Sequence, residues 1–583
     1  MKKLYLMLSM LFAFGTAANA VPAKKLQKVI TLANGAKVSV ELRGDEYLSW
    51  WEGADGTAYR ATADDAVFEA FDLEAQKPAA AARRAKTKQG RAARLARVNS
   101  SLNGADDKMR GLGGDHITYK GVKKGLVVLV DFKNKKFADG HDLEYYKQII
   151  NGKDFSDPTE GYVGSVRDYF LAQSNGQFEL DFDVVGPVTM SQSYGYYGRD
   201  SNYQKDENVY KMIQEACDGI KDQVNLADYD WDGDGEADQV FFLYAGLGQA
   251  SGGSASTIWP HESQLRYWPC GVLKYPTGKV NTYACANELQ PTAQGSSNYI
   301  SAGIGTICHE FSHCLGFADM YDTAGQNGYG MTVFDVMDQG SYNGNGFVPC
   351  NYTAFERIYA GWVEPIELES PATVKDMKSV SDYGRPFIMY NFKNTNEYFL
   401  MENRQNTGWD KELYGCNGLL IVHVNYVPSR WTNNSVNSSK EKIQCCTVVN
   451  ADGSREMSDY YSLQGDLYPY VVKGVTMNDA FTDESEPAAK LYNKNSDGTY
   501  YLGIPITDIK RSKGSISFNV CGGDDNNILD NTFKEIVDDI NGITVANKTR
   551  DNRVYSIDGR YLGTDASKLG KGIYVVGGKK IVK

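Results

Sequence analysis

The chain has six histidines in 583 residues, and two of them stand four apart in His309-Glu310-Phe311-Ser312-His313. On a helix that spacing puts both imidazoles on one face, one turn apart, within reach of a single metal ion. Glu310 beside the first is positioned to act on a water held by that ion, as base and then as acid. Gly316 follows His313 by three residues, where a ligand-bearing helix must stop, and glycine takes the left-handed conformation that ends it without a Cβ penalty. Asp319 then arrives from outside the helix as a third ligand, with Asp322 as its rival. Two neutral imidazoles and a carboxylate suit zinc and leave a fourth position open, which implies catalysis rather than scaffolding.

The stretch HEFSHCLGFADMYD resembles the immune inhibitor A family of secreted bacterial metallopeptidases, and its HExxHxxGxxD pattern is similar to the metzincin signature with Asp in place of the third His. The resemblance implies a zinc endopeptidase acting on protein or peptide substrates, with His309, His313 and Asp319 on zinc and Glu310 as the base. It also implies a methionine turn beneath the metal, for which Phe334-Asp335-Val336-Met337-Asp338 offers Met337. Tyr342 is a candidate oxyanion stabiliser, as tyrosines near this turn are in some metzincins. There the Tyr comes two residues after Met, a position held here by Gln339. His261, in Trp259-Pro260-His261-Glu262, is a candidate substrate contact beside the alternative of a structural histidine. A thermolysin-like ligand set is disfavoured, because no Glu occurs from Cys314 to Phe355.

The elements that must carry this site form a multidomain chain, since 583 residues exceed one hydrophobic core. A basic start, an apolar run from Leu4 to Phe14 and small residues at Ala18-Asn19-Ala20 predict a signal peptide over 1–20 and export. Residues 21–110 read as a pro-segment, opening on strands Lys28 to Leu32 and Ala36 to Leu42 around an Asn34-Gly35 turn. A basic, Ala-rich run from Ala79 to Arg97 follows, helical or flexible and open to cleavage. No Cys precedes Cys217, which excludes a cysteine latch; Asp45 is a candidate carboxylate latch, against the plainer reading of a turn acid.

Residues 111–365 are expected to form a mixed α/β, metzincin-like catalytic domain. It has a buried strand at Leu126 to Val130, a helix around Val166 to Phe170, an alternating strand from Phe178 and a helix from Asp206 to Val224. Residues 366–521 read as an all-β, sandwich-like module. His423 in that module alternates with apolar neighbours and reads as structural. Residues 522–583 read as a linker and a small β tail, which resembles the sorting domains of the type IX secretion system. That resemblance implies a secretion-machinery partner and a secreted or outer-membrane surface location.

A net charge of -12 argues against nucleic-acid or anionic-membrane partners, and no stretch reaches transmembrane length. The acids Asp230, Asp232, Asp234, Glu236 and Asp238 alternate around Gly233 and Gly235 like the first half of a calcium loop, with Phe241 where the closing Glu belongs. Calcium is therefore a second candidate ion. The ten cysteines leave pairing open. A reading of another class is a surface adhesin or glycan-binding protein with a vestigial metal site, against which stands the retained Glu310.

Overall fold

The computed structural model describes residues 18–62, 66–82, 119–200, 205–293, 296–324, 328–413, 415–438, 443–455 and 462–533, together with the strands of the tail. The expected leader up to residue 17 and the basic run from Arg83 lie outside the described residues. The chain divides into two compact units, residues 1–533 and 534–583.

In chain order the first unit opens with β1 (Ala18–Asn19) and a meander of β2 (Gln27–Thr31), β3 (Lys37–Gly44), β4 (Ser49–Gly53), β5 (Ala58–Ala61) and β6 (Phe68–Ala70). All neighbours of this five-stranded sheet run antiparallel. Its first turn is the expected one. Gly35 has φ +81, and the Asn34 side chain accepts the Ala36 amide, an interaction that fixes the chain reversal.

The central sheet combines β7 (Gly121–Asp131), β8 (Phe178–Thr189), β9 (Val240–Leu247), β10 (His261–Gln264) and β11 (Thr282–Pro291). Its order is β1-β10-β11-β9-β7-β8, with β8, β7, β9 and β11 mutually parallel and β10 antiparallel at the edge. Strand alternation divides β7 between two cores: Val127 and Leu129 face one, Leu126, Val128 and Val130 the other. Helices α1 (Leu143–Asn151) and α2 (Val166–Gln173) cover the first face and α3 (Val209–Ile220) the second. Ser165 and Asp168 form a reciprocal capping box that starts α2.

Helix α4 (Gly305–Cys314) carries the histidines and is buried at every residue. Its start is set by close approach: a Cβ on Gly305 would lie 1.8 Å from the Ser341 carbonyl oxygen. Its end is the expected glycine stop. Gly316 has φ +93, and its amide and that of Phe317 satisfy the carbonyls of His313 and Ser312.

Beyond residue 363 two sheets share one core: β12 (Ile366–Glu367), β14 (Phe387–Tyr390), β15 (Glu397–Arg404), β16 (Gly418–Asn425) and β17 (Cys446–Val448) against β13 (Ala372–Met377), β18 (Ile506–Ser512), β19 (Ser515–Val520) and β20 (Ile528–Leu529). The module was expected to stop at residue 521 before a polar linker. In the structure β20 pairs with β13, and the compact unit continues to Phe533. Strand β15 is buried on both faces. Phe399 and Met401 enter the sandwich core, while Tyr398 and Leu400 enter the core under α4. The tail unit is a four-stranded antiparallel sheet of Val554–Ser556, Tyr561–Gly563, Ile573–Val576 and Lys579–Val582.

Candidate metal centre and cleft

One helical turn brings His309 and His313 together with their Nε2 atoms 3.2 Å apart, and the turn after Gly316 lays Asp319 Oδ1 3.2 Å from each. Each imidazole uses Nδ1 on a backbone carbonyl, His309 on Val336 at 2.7 Å and His313 on Phe317 at 2.9 Å. A carbonyl only accepts, so Nδ1 holds the proton in both rings and both Nε2 atoms present lone pairs. Asp319 Oδ1 is buried without a hydrogen-bond donor. Three buried acceptors thus face one another, an arrangement that repels itself unless a cation sits among them. Ligands about 2.0–2.2 Å from a tetrahedral zinc stand about 3.4 Å from one another, so this triangle of donors fits such an ion.

Asn434, at the end of the short helix α5 (Pro428–Thr432), grips Asp319 from both sides. Its Oδ1 accepts the Asp319 amide at 2.7 Å and its Nδ2 donates to Asp319 Oδ2.

Glu310 lies within 4.8 Å of both imidazoles, yet the 3.2 Å contacts of Asp319 make the tighter triangle. Glu310 is fully buried, and burial raises its carboxyl well above the ordinary range. Its Oε1 accepts the Val21 backbone amide at 2.8 Å. That contact belongs to a strap: β1 pairs antiparallel with β10, and the chain continues across the cleft to the N-terminal sheet. Along the strap Tyr321 donates to Ala20 O at 2.6 Å, Trp259 to Val21 O at 3.1 Å and Tyr342 to Pro22 O at 2.7 Å.

The other sequence candidates fall as follows. Met337 is fully buried in the turn whose Val336 carbonyl holds His309, and its own carbonyl accepts the Met320 amide at 2.9 Å. Tyr342 reaches the strap. Asp322 is turned away from the triangle, with its two oxygens accepting Ala324 and Gly328 amides at 3.0 Å. Asp45, a candidate latch whose plainer reading is a turn acid, accepts the Tyr47 and Leu48 amides through Oδ1 as a turn acid does, and the contact on Glu310 comes from Val21. His261 spends its ring nitrogens on Trp259 O and the Tyr283 hydroxyl, and burial lowers its pKa to about 4, so it is a structural histidine. His423 stacks between Phe399 and Tyr492 and meets Glu397 at 3.0 Å.

In the acidic loop Asp230, Asp232 and Asp238 gather within 4.8 Å. Asp230 accepts amides of Gly233, Asp234 and Gly235, Asp234 accepts the Glu236 amide, and Glu236 turns to Arg266 and Asn281 at 3.1 Å. The calcium expectation gains no support from this arrangement, because the loop's own amides and Arg266 already answer much of its negative charge.

Sequence reading missed Asn434 and Tyr321. Asn434 lies 115 residues from its partner, and no local signal marks it. Tyr321 stood inside the quoted HEFSHCLGFADMYD stretch, but as one of 39 tyrosines it carried no signal in its type alone.

Over 324 aligned residues the chain is 26% identical to the pre-pro-metalloprotease PrtV of Vibrio cholerae serotype O1, covering 46% of this chain and 34% of that protein. It is 25% identical over 322 residues to immune inhibitor A of Bacillus thuringiensis subsp. alesti, covering 47% and 45%. The chain therefore spans between a third and a half of the length of these curated relatives. Residues 120–363, which contain His309, Glu310, His313 and Asp319, match the immune inhibitor A peptidase M6 catalytic domain, and this match with its relatives supports a metalloendopeptidase.

Proposed function

We propose that the protein is an exported zinc-dependent endopeptidase acting on protein substrates, with His309, His313 and Asp319 as the zinc ligands and Glu310 as base and then acid. The observation that carries this reading is the triangle of bare acceptors at 3.2 Å beside a buried glutamate. Zinc bound there supplies Lewis acidity, which polarises a carbonyl and lowers the pKa of water. The chain's own residues do the rest. The Val336 and Phe317 carbonyls orient the imidazoles, Asn434 fixes the carboxylate, and Glu310 takes a proton from water and returns it to the departing amine.

In this reading Met337 supplies the turn beneath the metal. The region from Val21 to about residue 110 is a pro-segment whose Val21–Ala23 stretch covers Glu310 and keeps substrate out until it is released, while Ala18–Ala20 belong to the leader and leave with it. Export follows from the leader pattern before Val21, and the tail sheet is a sorting module read by secretion machinery. Among the described residues no helix is long and apolar enough to cross a membrane.

The test is casein zymography of the processed protein with a zinc chelator, with zinc restored, and in Glu310→Ala. We expect chelation to abolish clearing and zinc to restore it, and Glu310→Ala to keep its zinc while losing about 10²–10⁴-fold in kcat. Clearing that survives chelation, or a fully active Glu310→Ala, refutes the reading.

A further inference from the structure

In the chain that still carries residues 1–20, the strap presents a whole peptide unit to the centre, a pose of extended polypeptide in the site. The amide nitrogen of the Ala20–Val21 bond sits on Glu310 Oε1 at 2.8 Å, and the carbonyl oxygen of the same bond accepts the Tyr321 hydroxyl at 2.6 Å. Ala20 and Val21 are completely buried, and the residues before them continue the sheet as an edge strand on β10. An extended polypeptide therefore lies in this cleft with one peptide bond gripped at both of its polar ends. Those ends are the two atoms that peptide hydrolysis must serve: the oxygen gains negative charge as water adds, and the nitrogen needs a proton to leave.

From this geometry we infer that Tyr321 is a catalytic residue, its hydroxyl donating to the oxygen of the scissile carbonyl while Glu310 serves the nitrogen of the same bond. The inference rests on the peptidase reading above. In the step, water oxygen bonds to the carbonyl carbon and the carbon–nitrogen bond breaks. One water proton passes through Glu310 to the nitrogen as the carbon–nitrogen bond breaks, the other leaves the new hydroxyl for the released amine, and the products are a carboxylate and an ammonium group. Tyr321 keeps its proton throughout, and its hydrogen bond strengthens as the carbonyl oxygen becomes an oxyanion. Tyr342, the candidate the sequence suggested for this role, meets the Pro22 carbonyl two residues further along and so holds the chain beyond the reacting bond.

The experiment compares wild type, Tyr321→Phe and Tyr342→Phe in the processed protein, measuring kcat and KM on a peptide, zinc content, and affinity for a phosphinic peptide, a tetrahedral anion. Tyr321→Phe should keep its zinc and its KM within a few-fold, lose about 10²–10³-fold in kcat, and lose phosphinate affinity in parallel. Tyr342→Phe should act mainly by raising KM. A Tyr321→Phe protein with wild-type kcat and phosphinate affinity overturns the role of Tyr321 while the peptidase reading stands. An inactive wild type overturns that reading and this inference with it. Should Tyr321→Phe fail to fold, difluorotyrosine at position 321 keeps the ring and alters the acidity of the donor. A shifted kcat at constant KM then supports the role, and a kcat equal to wild type overturns it.

Discussion

Asn434 spans the Asp319 carboxylate and its own backbone amide, which removes the rotational freedom that a carboxylate at the end of a turn otherwise keeps. Removing such a partner typically costs about 10–100-fold in metal affinity. Asn434→Ala should show that loss in zinc competition against a chelator, with the fold retained, and unchanged affinity would make the grip dispensable. Asp466 in the β module tells a different residue-scale story. Burial first, and then the charge of Asp452, push its carboxyl up to about 8. In the unfolded chain the value returns to about 3.9, so between those two pH values the folded chain holds the extra proton. The stability from this group is complete below about pH 4 and is lost as pH rises through 8. Asp466→Asn should therefore flatten the fall in Tm between pH 5 and 9, and a slope as steep as wild type would contradict the shift.

At the scale of elements, helix α4 is a fully buried rod fixed at both ends by glycine, for different reasons. Gly316 supplies a left-handed stop, and Gly305 supplies room beside the Ser341 carbonyl. A methyl group at 305 meets backbone rather than a pliable side chain, so the helix start or the 339–346 segment must move. Gly305→Ala should cost about 1–3 kcal/mol by denaturant unfolding, the range for overpacking a tight site. A neutral substitution would mean that the contact relaxes freely. The strap is the other decisive element. While the leader remains attached, β1 extends the sheet edge that the antiparallel β10 leaves open, and an open edge recruits extended chain wherever one is available.

The whole molecule joins the catalytic and β modules through one core, which explains why a residue beyond the matched segment reaches the metal centre. Buried Arg404 on β15 pairs with Asp410 at 2.6 Å and Glu402 at 3.0 Å, and donates to the Phe334 carbonyl at 3.1 Å beside the methionine turn. The N-terminal sheet closes the other side, with Ile30, Leu42, Trp51 and Phe68 sharing a core with Ala20, Val21, Ala23 and Trp259. Cleavage in the basic run after residue 82 and removal of the N-terminal piece should convert a latent protein into an active one, and the isolated piece added back should inhibit. Full activity of the uncut chain on casein would exclude a blocking role for the strap.

By itself the sequence determined what is local in the chain. The four-residue spacing of His309 and His313 becomes a shared face through helical geometry alone, and Gly316 ends the helix because only its backbone takes that conformation cheaply. The strands at Leu126 to Val130, Phe387 to Tyr390 and Ser515 to Val520 were legible because their apolar pattern and turn residues are themselves short-range. Tertiary structure decided everything that depends on distant segments meeting. It turned Asp322 and Asp45 into turn acids, satisfied His261 inside the core, brought Asn434 to Asp319 and laid Ala20–Val21 between Glu310 and Tyr321. Hydrogen bonds across 115 or 301 residues leave no trace in local spacing, because the packing of separate sheets and helices, rather than any local periodicity, brings their donors and acceptors into register.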